Sequence, residues 1–149
     1  MTVMLIALLK TVHVLSAALW VGGMFFAYVG LRPSLGVLEP AQRVLLHRQV
    51  LRRFFLVVWH AMPLAILTGF GMIHLYGGMA GVRWPVHAMM LLGLIMGAVY
   101  VWLFFGPYRV FRGASEPPVV VASLESIRKL VGINLLLGLV SIVLGFVPA

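Results

Sequence analysis

The chain contains no cysteine and no aspartate, and only three acidic residues, Glu39, Glu116 and Glu125. Without cysteine there are no disulfides and no thiolate metal sites. Without aspartate, and with three scattered glutamates, paired-carboxylate hydrolysis, carboxylate-held magnesium and Ser-His-Asp chemistry all lack parts. Charge of either sign is scarce: 9% of the 149 residues are charged and 63% are hydrophobic. No soluble domain has that balance, so the sequence is read as one integral membrane domain. Long repeats, low-complexity tracts and a phosphate-cradling motif are also missing. The first apolar run has no basic stretch before it and no small-residue cleavage site, so it is expected to stay as a span.

What is present falls into four long apolar runs, roughly 3–30, 54–76, 84–106 and 129–147, each close to the ~20 residues a bilayer needs. Between them lie the basic residues. Arg32, Arg43, Arg48, Arg52 and Arg53 follow the first run, and Arg109, Arg112, Arg128 and Lys129 follow the third. The other side holds Arg83 alone, apart from Lys10 inside the first run. This asymmetry predicts an inner-membrane protein with both termini outside the cytoplasm. In a soluble chain a net charge of +8 would point to nucleic acid; here it reads as topology and contact with anionic lipid, with no nucleic acid.

The basic loops carry helical signals of their own. Pro40 suits a first helical turn, and Val44, Leu45, Leu51 and Phe54 recur at helical spacing, so the second helix is expected to start near Pro40 and bend near Pro63. Ser115-Glu116-Pro117 reads as another helix start, with Glu125 placed to pair with Arg128 or Lys129. His47, in the first of these cytoplasmic extensions, is expected to be solvated. Gly77-Gly78-Met79-Ala80-Gly81 is a turn. Gly69 and Gly71, Gly93 and Gly97, and the stripe Asn134, Gly138, Ser141, Gly145 mark close helix contacts, or a concave face that admits a flat cofactor.

Ionisable groups inside spans carry the chemistry. Lys10 and His13 share a helix face about one turn apart, and Ala17, Trp20 and Met24 continue it. Such side chains cost at least ~2.5 kcal/mol to insert and therefore face the bundle interior with a partner. Three more histidines, His60, His74 and His87, lie in or at the edge of spans. Imidazole binds transition metals and haem iron. Depth counting groups His13, His74 and His87 towards the outer face and leaves His60 on the cytoplasmic half. His60 and His74 are nearly four whole turns apart, about 21 Å along one face, a spacing that two stacked haems use. Nine methionines raise a copper alternative, because thioether and imidazole suit cuprous ion. Met72 near His74, and Met89 and Met90 beside His87, could complete such a site; the plainer reading is that methionine fills gaps.

The run Leu9-Lys10-Thr11-Val12-His13 through Trp20-Val21-Gly22-Gly23-Met24-Phe25-Phe26 resembles small membrane proteins of the copper resistance protein D (CopD) family. So do Arg52-Arg53-Phe54-Phe55, Val86-His87-Ala88-Met89-Met90, Gly106-Pro107-Tyr108-Arg109 and Ile127-Arg128-Lys129-Leu130-Val131-Gly132-Ile133-Asn134. The layout is also similar to HemJ-type protoporphyrinogen oxidases, four-helix membrane proteins that bind b-type haem. Their lysine–histidine pair matches Lys10 and His13, and their tryptophan and histidine match Trp84 and His87. Met89 stands where that family has a lysine, which argues against the oxidase activity and leaves haem ligation by His13 and His87 intact.

The expected fold is all-α: an antiparallel four-helix membrane bundle with cytoplasmic helix extensions. The first functional expectation is a b-type haem in the outer half, with His13 as one axial ligand and His87 or His74 as the other. Lys10 would meet a propionate, and the task would be electron transfer with a redox partner, or haem or copper handling. His60 is left open to a role across a homodimer contact. The alternative is copper binding or transport without haem, on His13, His74, His87, Met89 and Met90. A third reading has the histidines merely bridging helices.

Overall fold

The computed structural model describes residues 1–148. They form four long helices: α1 (Thr2–Val37), α2 (Pro40–Leu75), α3 (Trp84–Gly113) and α4 (Pro117–Leu144), each long and apolar enough to cross a membrane. Short connections make neighbours antiparallel, and the described residues contain no strand. The four expected runs each fall largely within one helix, and α2 and α4 start at Pro40 and Pro117 as expected. At ~1.5 Å per residue α1 and α2 are each about 54 Å long, well beyond a ~30 Å hydrocarbon core. The excess of α2 is its basic first turns.

Local chemistry fixes the helix ends. The Glu39 amide donates to Gln42 Oε1 at 3.2 Å, and Pro40, with no amide hydrogen to leave unpaired, opens the first turn. At the opposite end of α2, Gly77 and Gly78 take φ of +94° and +80°, and a Cβ on Gly81 would overlap the Tyr76 carbonyl oxygen. This turn needs its glycines. α1 widens to a π-helical turn at Phe26–Leu31, and α3 does so at Phe104–Tyr108. The second contains Pro107, whose ring cannot sit against the carbonyl four residues back in a tight α-helix; the wider turn absorbs it. α2 continues as one helix through Pro63.

The basic end is held together by arginine. Arg48 donates to the carbonyls of Phe111 (2.9 Å), Arg112 (3.1 Å) and Ala114 (2.6 Å), and its guanidinium lies 4.8 Å from the centre of the Phe111 ring. Arg43 donates to Leu38 (2.6 Å) and Gly36 (3.1 Å). Both satisfy carbonyls at a helix C-terminus, where a cation also meets the negative end of the macrodipole. Two of the arginines that set the charge asymmetry therefore cap helices. Glu125 pairs with Arg128 at 3.1 Å, as the spacing predicts.

His47 is half-buried, with Nδ1 at 3.0 Å from the Arg43 carbonyl, where solvation was expected. Burial holds its pKa below 6.5; the Arg43 carbonyl opposes this shift and the charge of Arg32 adds to it. A depressed histidine is fully stabilising above the unfolded value and loses that contribution as pH falls below it, because the unfolded chain takes the proton first. The thermal midpoint should therefore drop between about pH 7.5 and pH 5.5. His47→Gln should drop less, measured by size-exclusion after heating at each pH.

Within the membrane part the core runs from Trp20, Val21 and Met24 through Phe55, Val58 and Met62 to Met96, Tyr100 and Leu103, with Val131 and Leu135 from α4. The rings of Phe55 and Tyr108 pack tilted with centres 4.2 Å apart, and the Tyr100 hydroxyl donates to the Phe55 carbonyl at 2.9 Å, tying α2 to α3. The small residues mark helix contacts except at Gly93, where a Cβ would meet nothing within 4 Å because that side of α3 faces away from its neighbours. A Cβ on Gly97 would lie 3.3 Å from Ile66 of α2, and one on Gly138 only 2.7 Å from Val21 of α1 and 3.2 Å from Met96 of α3. Asn134, 2% exposed, donates to the Met96 carbonyl at 3.0 Å. The stripe on α4 is thus a packing face.

Candidate functional site

α1 lies against α2 along a seam built from small residues. Ala61, Ala65 and Thr68 are buried on α2, and Ser16 is buried on α1. Leu9 of α1 fits over Gly71, where a Cβ would come within 3.3 Å of it, and Phe54 of α2 fits under Gly23 at the same distance. His13 enters this seam. Its Nδ1 lies 2.7 Å from the Ala65 carbonyl oxygen and 3.3 Å from Thr68 Oγ1. A Cβ on Gly69 would be 3.2 Å from His13 Cε1, so the imidazole occupies the space that a larger residue 69 would take.

The acceptor assigns the tautomer. A carbonyl can only accept, so Nδ1 of His13 carries the hydrogen and Nε2 carries the lone pair. The Thr68 hydroxyl donates to the Leu64 carbonyl at 2.5 Å and turns its oxygen towards the same Nδ1. An imidazole anchored through one nitrogen by a backbone carbonyl, with the other left basic, is the arrangement in which histidine ligates metals.

His60, separated from the others by depth counting, lies along the same seam. It lines a groove of about 350 Å³ between α1 and α2 together with Ser16, Leu19, Ala61 and Leu64. Its Nδ1 is 2.8 Å from the Leu56 carbonyl, which again leaves Nε2 with the lone pair. Lys10, His13 and Ser16 follow one another by single turns on α1, as His60, Leu64 and Thr68 do on α2. Lys10, expected to face the bundle interior with a partner, is instead exposed; its long stem lets the ammonium reach outward from the first turns of α1.

His74 and His87 are placed differently. His74 is exposed at the end of α2, nine residues beyond Ala65 and so about 13 Å further along the helix. His87 has Nδ1 at 3.2 Å from the Arg83 carbonyl and Nε2 at 3.1 Å from the Met79 carbonyl, bracing the glycine turn against the start of α3. Whichever nitrogen carries the hydrogen, the other faces an oxygen. The structure therefore does not bring His13, His74 and His87 together. Among the described residues no three histidines or carboxylates form a group that could hold a metal ion. Met89 packs towards α4, its Sδ 4.0 Å from where a Cβ on Gly145 would lie, and Met90 is half-buried.

Counting along helices gives depth but not azimuth, and this explains the difference. The seam residues Thr68 and Gly69 were missed as partners of His13, although the row Ala61, Ala65, Thr68 at helical spacing was the signal for where α1 would settle.

The family model for copper resistance protein D matches residues 48–147. The chain belongs to the CopD family. The matched stretch takes in α2 from Arg48, all of α3 and all of α4, with His60, His74 and His87; α1 and His13 precede it. No curated protein and no solved structure matches the chain. The protein is accordingly a multi-pass membrane protein of a copper-resistance family.

Proposed function

We propose that this CopD-family protein handles copper as cargo within the membrane, with the α1–α2 seam as its working surface and His13 Nε2 as the principal ligand. The observation that carries this is the bond from His13 Nδ1–H to the Ala65 carbonyl, which fixes the ring and leaves the other nitrogen basic. Cuprous ion accepts imidazole and thioether at low coordination number, so it does not need the closed group of three or four ligands that zinc takes. His60 supplies a second basic nitrogen on the same seam, nearer the basic end. His74, with the methionines at the end of the bundle that carries the termini, offers an exposed point of entry. The charge asymmetry supports placing that end outside the cytoplasm and the arginine-rich end within it, in an inner membrane.

A b-type haem at His13 is the second reading, favoured by the same anchored imidazole. His87, the expected second ligand, has both nitrogens against carbonyls and presents no free one. Haem supplies one-electron chemistry where it is bound; on this chain His13 would hold the iron and Lys10 a propionate. The HemJ resemblance rests on the same residues and goes no further than they do.

The test is a metal and spectral analysis of the purified protein in detergent. After anaerobic incubation with cuprous ion and desalting, copper should remain bound near stoichiometrically and the spectrum should show no Soret band. A Soret band that shifts with dithionite, with no copper retained, would replace the copper reading with the haem one.

A further inference from the structure

The opposite seam, between α2 and α3, is the looser one. A groove of about 740 Å³ runs along it, walled by Met62 and Ile66 of α2 and by Trp102 and Phe105 of α3, over a floor of Gly97 and Ala98 that ends at Gly106. The size is that of a ligand site. Apart from the indole of Trp102 the lining is apolar, and that ring is 71% exposed within the spanning part of α3. Its wall at the end nearer the basic residues is Phe105, which packs edge-on against Trp59 of α2 with ring centres 6.2 Å apart.

Just past Phe105 stand exposed cations. Arg109 lies one turn past Phe105, where the π-helical turn Phe104–Tyr108 keeps residues four to five apart in line. Arg52 lies on α2 between Arg48, which reaches the carbonyls of Phe111, Arg112 and Ala114, and Phe55, which packs edge-on against Phe104 and tilted against Tyr108. It is therefore level with Arg109 across the mouth of the groove, and it too is exposed. Neither caps a helix, in contrast to Arg43 and Arg48.

An apolar trough at hydrocarbon depth with two guanidinium groups at headgroup depth has the charge pattern of one molecule. We propose that the α2–α3 groove is a binding site for an anionic phospholipid of the leaflet at the basic end, one acyl chain lying over Gly97 and Ala98 and the phosphate meeting Arg52 and Arg109. Guanidinium matches phosphate geometry with paired donors, which a zwitterionic headgroup also engages but with less net attraction. The site is separate from the α1–α2 seam and does not rest on the copper reading.

Trp102 reports on the groove directly. The full-length protein is reconstituted in phosphatidylcholine vesicles containing a few per cent of lipid brominated on its acyl chains, either as phosphatidylglycerol or as phosphatidylcholine. Quenching is taken as the difference between the natural chain and Trp102→Phe. Brominated phosphatidylglycerol should quench Trp102 at a mole fraction well below that needed for brominated phosphatidylcholine, by about fivefold for each arginine that contributes. The double variant Arg52→Gln, Arg109→Gln should erase this preference while leaving both lipids able to quench. Gly106→Leu, at a position where an added Cβ meets only Trp102 Nε1, 4.0 Å away, should fill the end of the groove and lower quenching by both. Equal quenching by the two lipids in the natural protein overturns the proposal, as does a preference that survives loss of both arginines. Quenching that falls as protein density in the vesicle rises would show a second copy in the groove and also overturns it.

Discussion

Replacing His13 by alanine should abolish retention of cuprous ion while leaving a folded four-helix protein. The change deletes the one ring whose Nδ1–H is fixed by the Ala65 carbonyl at 2.7 Å. Loss of an orienting partner alone costs about 10–100-fold in metal affinity, so loss of the ligand itself should exceed about 100-fold. Folding loses one hydrogen bond, about 1 kcal/mol, whereas α1 keeps Leu9 over Gly71, Phe54 under Gly23 and Val21 beside Gly138. A competition titration against a chromophoric cuprous chelator reads the affinity, and size-exclusion reads the fold. Two companion variants separate the ligand from its support. Thr68→Val keeps the ring and removes the hydroxyl oxygen near Nδ1, and should weaken binding by about tenfold. His47→Gln, in the first turns of α2 and away from the seam, should leave binding unchanged. Full affinity in His13→Ala would end the assignment of that residue as the principal ligand.

The largest effect on stability is expected at Gly138. A Cβ there would stand 2.7 Å from Val21 Cγ2 and 3.2 Å from Met96 Cε, so even alanine forces a shift against two different helices. Overpacking in a close-packed interior costs about 1–3 kcal/mol and more when the neighbours cannot turn away. Val21 and Met96 are both buried, which leaves them little room. Gly138→Leu should therefore push α4 from α1 and α3, stretch the bond from Asn134 to the Met96 carbonyl, and lower the thermal midpoint in detergent by many degrees. Gly93→Leu makes the control, because a Cβ at Gly93 meets nothing within 4 Å. Equal midpoints for the two variants would show that the Gly138 contact is not where α4 is held.

Between these two sites the legibility of the sequence differs. The α4 stripe was readable: small residues at helical spacing in a span have little to do but let backbones approach, and Gly138 does so. The face of α1 that carries His13, Trp20 and Met24 was equally readable, and Trp20 and Met24 are buried as that face requires, whereas Lys10 at its edge is exposed and does not turn to the interior as expected. The partner of His13 was not. Its bond goes to a main-chain oxygen, and every residue has one, so side-chain identity carries no trace of it. His60 shares the seam with His13 although depth alone set it apart, because two helices packed side by side bring together residues at several depths along one line.

The amino-acid sequence determined the things that depend on composition and period. It determined that the chain crosses a membrane four times, since only helices can pair their own backbone in lipid. It also determined where α2 and α4 start, which end is basic, and that the α4 stripe and Gly97 admit close contacts, though not that Gly93 has none. The tertiary structure alone decided which way each helix turns about its axis, and with it what each imidazole touches. That rotation is set by shape fit between neighbours, a sum of many weak contacts spread over residues that no local pattern ties together. It turned His13 into α2, pinned His87 to a loop, and gave Arg43 and Arg48 to helix ends while leaving Arg52 and Arg109 exposed.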